Sequence, residues 1–202
     1  MPVKLLLFFL CACALLTPFG GAAAALPEAA AASSAVVPVT DVEARLAMAG
    51  MEGGRLKAVA LLFVGRDCPI SNAMVPEVNR IIEKYELLGI AFYFVYPEGD
   101  LSDADAALHA KEFGLRAPVA VDRERKLVAT ARVRVTPEAA IFGARMQVVY
   151  RGRIDDLYAA LGQRREAAQT HDLRDALDAV AAGKLPRVAF VQPVGCFIPS
   201  KP

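Results

Sequence analysis

Apolar residues come in two kinds of run along this chain. Residues 58–64, AVALLFV, are apolar without interruption and stop at Gly65. A run so short and continuous predicts a strand buried on both faces. Residues 90–99, IAFYFVYPEG, repeat that signature with aromatic residues and predict a second buried strand. Between them Met74, Val75, Val78, Ile81, Ile82 and Tyr85 recur at helical spacing, with Gly89 as a stop. Pro76 falls inside that pattern and predicts a kink near the first turns.

The pattern continues in the same alternation. SDADAALHAKEFG predicts a helix opened by Ser102 or Asp103 and closed at Gly114. APVAVD reads as a short strand and RERKLVATARVR as a short amphipathic helix or turn. EAAIFGARMQVVYRG predicts two strands joined around Gly143. Ahead of all these, DVEARLAMAG predicts a helix capped by Asp41 and ended by Gly50. Leu173, Ala176, Leu177 and Val180 mark the apolar stripe of a last helix, with Thr170 or Asp172 as its cap. The final stretch, KLPRVAFVQPVGCFIPSKP, has prolines and no period, and reads as an extended tail carrying Cys196. Strands alternating with helices imply a parallel sheet covered by helices, to which the hairpin adds antiparallel strands.

Length and charge narrow the picture. The 202 residues, about half of them apolar, suit one globular domain. A net charge of +1 gives no electrostatic basis for binding nucleic acid. The N-terminus has Lys4, an apolar stretch from Leu5 to Leu16, Pro18, and small residues around Ala23 and Ala25. That is the pattern of a secretory signal. The expected organisation is a signal peptide over 1–25, a flexible lead-in over 26–40, a domain over 41–182 and the extended tail over 183–202. Export to the periplasm or beyond the cell follows, with membrane attachment only if the signal stays uncleaved. Cleavage would remove Cys11 and Cys13, leaving Cys68 and Cys196 in an oxidising compartment. Two outcomes are open for them: a disulfide, static or transient, or two inert thiols.

Cys68 carries the sharpest chemical signal. It lies where the first strand gives way to the long helix, and Pro69 suits a first helical turn. A helix N-terminus presents unpaired N–H groups and a positive dipole end, both of which favour a thiolate. Arg66 adds positive charge there and Asp67 opposes it. RGRIDD, residues 151–156, reads as a hairpin end closed by surface ion pairs. His109 and His171 read as core-edge or surface residues.

Taken together, AVALLFVGRDCPISN, FYFVYPEG, APVAVD, RVTPEAAIF and VVYRGRIDD resemble the thioredoxin-like superfamily. The nearest resemblance is to its redoxin branch, the alkyl-hydroperoxide-reductase and thiol-specific-antioxidant type, in exported bacterial form. The resemblance implies an α/β fold with a central mixed sheet flanked by helices. It implies Cys68 as the reactive thiolate, and a groove shaped by Pro69, Ser71, Thr136 and Pro137, with Pro137 opposite Cys68. Two departures stand out. Ser71 occupies the place of the second cysteine of C-x-x-C, so Cys196 is the only intramolecular partner left. Gly65 occupies the place where peroxidases of this type carry threonine or serine. The expected function is a thiol redox protein acting on protein thiols and disulfides or on peroxide, without a cofactor and with an unidentified electron donor. The alternative is a binding module, for a partner or for copper held by Cys68, Cys196 and His109.

Overall fold

The computed structural model describes residues 35–51 and 54–199, so the expected signal peptide lies outside the described residues. At the centre is β1 (Ala58–Phe63), whose six residues are all buried. Its alternation feeds two cores. Ala58, Ala60 and Leu62 point into one apolar cluster, and Val59, Leu61 and Phe63 into another. This is why the run shows no polar alternation.

On one side β1 pairs in parallel with β2 (Ile90–Tyr96), and β2 with β3 (Val119–Val121). On the other side it pairs antiparallel with β5 (Glu138–Phe142), followed by β6 (Val148–Gly152). β9 (Phe190–Val191) runs parallel to β6 and completes a six-stranded mixed sheet. Short α1 (Val39–Met48) and α4 (Lys126–Ala131) supply Val42, Leu46, Leu127 and Ala131 to one core. The other core is closed by α2 (Pro69–Glu86), α3 (Asp103–Glu112) and α5 (Asp172–Ala181). The expected fold class, a central mixed sheet flanked by helices, is the one observed.

Several local expectations change. Part of the lead-in is structured: Val119 N–H donates to Ala35 O at 2.9 Å and Val37 N–H to Val119 O at 2.8 Å, which lays these residues along β3. α1 starts at Val39 after Pro38, and Asp41 sits in its first turn with no capping hydrogen bond. There its charge complements the dipole instead. Ser102 does cap α3, accepting from Asp105 N–H at 3.0 Å. At α5 the cap position is His171, because the Asp172 carboxylate is taken by Arg153 at 2.6 Å and by Thr170 Oγ1 at 3.0 Å. Pro76 lies inside α2 without dividing it.

The RGRIDD stretch is not a solvated surface. Asp155 and Asp156 are buried, and Asp156 Oδ1 accepts from the backbone N–H groups of Gln169 (2.6 Å) and Thr170 (2.9 Å). These bonds tie the segment before α5 to the end of the hairpin. A small hairpin, β7 (Tyr158–Ala160) with β8 (Gln163–Arg164), fills part of a region without periodicity. The tail runs back along the body. After β9 it adds β10 (Cys196–Phe197) antiparallel to β4 (Val135–Thr136).

Candidate active site

The turn between β1 and α2 is fixed by its own backbone. Gly65 N–H donates to Ser71 Oγ at 3.2 Å, and Arg66 N–H to Glu98 Oε1 at 2.9 Å. Arg66 O accepts from Asn72 Nδ2 at 3.0 Å, and Gly65 O from Cys68 N–H at 3.1 Å. Cys68 is therefore delivered to the N-cap position of α2 by a turn with few free backbone groups. Its side chain is 3 % exposed.

A second loop meets it from β4. The Thr136–Pro137 peptide bond is cis. Cys68 Sγ donates to Thr136 O at 3.1 Å. Glu138, buried directly after Pro137, braces this loop from behind. Its Oε2 accepts from Arg134 N–H at 2.9 Å and from Val135 N–H at 3.4 Å, and its Oε1 lies 3.5 Å from Arg151. Burial pushes the Glu138 carboxyl up, against those hydrogen bonds and Arg151. No room is left for a side chain at Gly65. A Cβ there would stand 2.8 Å from Thr136 Oγ1 and 3.1 Å from Cys68 Cβ.

The tail closes the third side. In the β10–β4 ladder Cys196 is opposite Thr136 and Phe197 opposite Val135, and Ile198 N–H donates to Arg134 O at 2.9 Å. Arg125 Nη1 donates to Pro199 O. This register brings Cys196 beside Cys68, both as free thiols. Burial would raise the Cys68 thiol. Hydrogen bonds from Cys196 and Ser71, side chain and backbone, outweigh it and hold Cys68 below its ordinary value. Cys196 moves the other way, pushed up to about 11 by burial, by its hydrogen bond to Cys68 and by the Cys68 charge. The two shifts are opposed: Cys68 is drawn toward thiolate and Cys196 toward its protonated form.

Arg66 contributes nothing to that polarity, since its guanidinium pairs with exposed Asp67 at 3.1 Å. The thiolate is favoured by hydrogen bonds and the helix terminus, not by a nearby net charge.

Cys68, Ser71, Thr136, Pro137 and Cys196 are thus gathered in one place. Pro69, at the first position of α2, faces a separate cavity of about 460 Å³ that it lines with Arg66, Asn72, His109 and Phe113. His109 is buried there, with Nδ1 2.6 Å from the Tyr96 hydroxyl and its ring stacked on Phe113. Burial pulls its pKa down. The two cysteines line a different cavity, of about 270 Å³, together with Glu98, Arg125 and Phe197. Among the described residues no three His, Cys, Asp or Glu side chains are grouped to hold a metal ion, so His109 does not join the cysteine pair.

Glu98, Glu138 and Gly195, whose lack of a side chain lets the tail lie against Thr136 O, were not among the residues expected at the site. Glu138 had a signal: it is the one charged residue in the apolar strand EAAIF. Glu98 lies just past the C-terminal end of β2, where sheets of this kind place their sites. Gly195 has no sequence signal beyond its place before Cys196.

No protein-family model and no curated protein matches the chain. Solved structures do. An uncharacterized conserved protein of Geobacillus kaustophilus superposes with a TM-score of 0.61 at 24% identity, over 72% of this chain and 78% of that one. A hypothetical protein of Sinorhizobium meliloti 1021 gives 0.63 at 20% identity, over 78% and 82%. A secreted Mycobacterium tuberculosis disulfide oxidoreductase gives 0.44 at 15% identity, over 70% and 98%. No described helix is long and apolar enough to cross a membrane. The first two likenesses establish that this arrangement of sheet and helices recurs in other bacterial proteins.

Proposed function

We propose that this chain is an exported thiol redox protein of thioredoxin-like type, with Cys68 as its nucleophile and Cys196 as the resolving thiol. One observation carries the reading. A cysteine at a helix head, held below its ordinary pKa, has a second cysteine placed beside it by a strand from the far end of the chain. Export is supported by the apolar N-terminal stretch with its Lys4 and small residues.

The chemistry is thiol–disulfide exchange. The Cys68 thiolate attacks one sulfur of a substrate disulfide, forming a mixed disulfide and expelling the other sulfur as a thiolate. Cys196 then attacks Cys68 Sγ, releases the substrate as a second thiolate and leaves a Cys68–Cys196 disulfide. An external dithiol resets the pair. Protein disulfides are favoured over peroxide as substrate because Gly65 offers no hydroxyl, and a Cβ there would press on Thr136 Oγ1 and Cys68 Cβ.

The test is reduction of a protein disulfide with a dithiol donor, paired with peptide mapping of the trapped species. Cys68→Ser is expected to abolish turnover, and Cys196→Ser to accumulate a mixed disulfide on Cys68. Full turnover by Cys68→Ser would overturn the reading. Convergence of two thiols also favours a second reading, a two-sulfur site for cuprous copper in a binding module. Stoichiometric copper retention by the reduced chain, lost in both cysteine variants and without disulfide turnover, would select it.

A further inference from the structure

We propose that the tail occupies the edge of β4 as a stand-in for substrate, and that its fit there sets a selection for extended segments reading Gly-Cys-any-apolar. This rests on the redox reading above and specifies its substrate.

Two N–H groups where β4 begins, those of Arg134 and Val135, are already taken by Glu138. The exposed edge of β4 is paired with the tail, through the Cys196–Thr136 and Phe197–Val135 pairs and the Ile198 N–H to Arg134 O bond, with Cys68 Sγ also donating to Thr136 O. Such an edge binds any extended chain by its main chain and reads alternate side chains. Three positions of the occupying strand are constrained. A Cβ at Gly195 would collide with Thr136 O, a backbone atom that cannot turn aside. The next residue must present sulfur to Cys68. Ile198 packs against the apolar cluster of α1 and α4. Between them Phe197 is 80% exposed and free to vary.

The tail is suited to leave. Beyond β9, its grip is a two-residue ladder separate from the six-stranded sheet, the Ile198 N–H bond with its apolar packing, and Arg125 on Pro199 O. A substrate strand taking its place puts a disulfide sulfur where Cys196 Sγ lies. Cys68 attacks it, and the remote substrate sulfur leaves with the electron pair and takes a proton from water. The returning tail then needs the same edge. Cys196 gives its proton to solvent, bonds to Cys68 Sγ, and the departing substrate sulfur takes up the electron pair. Resolution and release of substrate are thereby a single exchange of strands. Two electrons pass to the substrate, and the chain is left as the disulfide.

The experiment uses the full chain carrying Cys196→Ser, reduced, and synthetic peptides of residues 193–199 (PVGCFIP) with the cysteine linked to thionitrobenzoate. Release of the chromophore gives the rate, and peptide mapping assigns the linkage to Cys68. The Gly195→Ala and Ile198→Asp peptides are expected to react about tenfold or more slowly than the parent, the scale of 1–3 kcal/mol of overpacking or lost burial. The Phe197→Asp peptide should match the parent within about twofold, the scale of an unremarkable surface change. Equal rates for all four peptides would overturn the edge as reader, while leaving Cys68 as a nucleophile. A Cys68 inert to every peptide and to the thionitrobenzoate disulfide of a small thiol would overturn both this inference and the redox reading.

Discussion

The two cysteines reach the same point by opposite means. Cys68 is held by the body: a central strand buried on both faces, a turn whose N–H groups are bonded to Ser71 and Glu98, and the first turn of an 18-residue helix. Cys196 is held by a two-residue ladder and a few bonds on either side of it. The first position is set by the burial of a whole core, the second by local backbone pairing. The redox function proposed above would draw on this asymmetry. The nucleophile must be presented in a constant geometry, and its partner must be able to yield the site.

The strongest way to probe that contrast is to damage the body alone. Leu61→Ala removes a fully buried side chain from the middle of β1 and should lower unfolding stability by about 2–5 kcal/mol. Under native conditions it should leave Cys68–Cys196 disulfide formation close to the parent rate. Urea unfolding and disulfide mapping report the two separately. Gly195→Ala is the converse. It forces a methyl group against Thr136 O, and should weaken tail docking by about 1–3 kcal/mol with little change in the unfolding of the body. Equal loss of stability and of pairing in both variants would break the comparison.

The pH dependence of alkylation sharpens it. Cys196 titrates at about 11, and Cys68 below its ordinary 9.0. A group with a depressed pKa is already thiolate at lower pH, so Cys68 should be modified first as pH rises, and Cys196 only in strongly alkaline solution. Cys68 should therefore be labelled about tenfold or more faster than Cys196 near neutrality, its larger thiolate fraction being offset only in part by the weaker nucleophilicity of the more acidic thiol. Mass mapping after brief iodoacetamide exposure measures it, and equal labelling at pH 8 would contradict the assigned polarity. The smallest effect belongs to Ser71→Ala. It removes one of the hydrogen bonds that lower the Cys68 pKa and should move the onset of Cys68 alkylation to higher pH, with Cys196 remaining the slower thiol.

The body was far more legible than the tail, for a physical reason. β1, β2, the hairpin strands β5 and β6, and the helices α2 and α3 each bury enough surface to write a continuous apolar run or a helical period into the sequence. Cys68 and Pro137 could be placed because they border such elements. β4, β7, β8, β9 and β10 are two or three residues long and leave no period to read. What holds β10 is a backbone ladder to residues some sixty positions earlier, which no side-chain pattern records. The same applies to Glu98, whose partner is the Arg66 N–H of another segment, and to Glu138, which is spent on main-chain donors of its own loop. RGRIDD misled for a related reason: its carboxylates looked solvent-facing by composition, yet they are buried and satisfied by main-chain donors.

The close approach at Gly152 has a consequence for behaviour in concentrated solution. Its φ of 143° and lack of a side chain let Val191 lie directly against it, so β9 can cover the outer margin of β6. Ala35 to Val37 do the same for β3 at the opposite margin. An uncovered row of main-chain donors and acceptors is an invitation to neighbouring copies to stack into aggregates. By laying residues 35–37 against β3 and β9 against β6, the chain keeps the five strands between from becoming a template for its own precipitation.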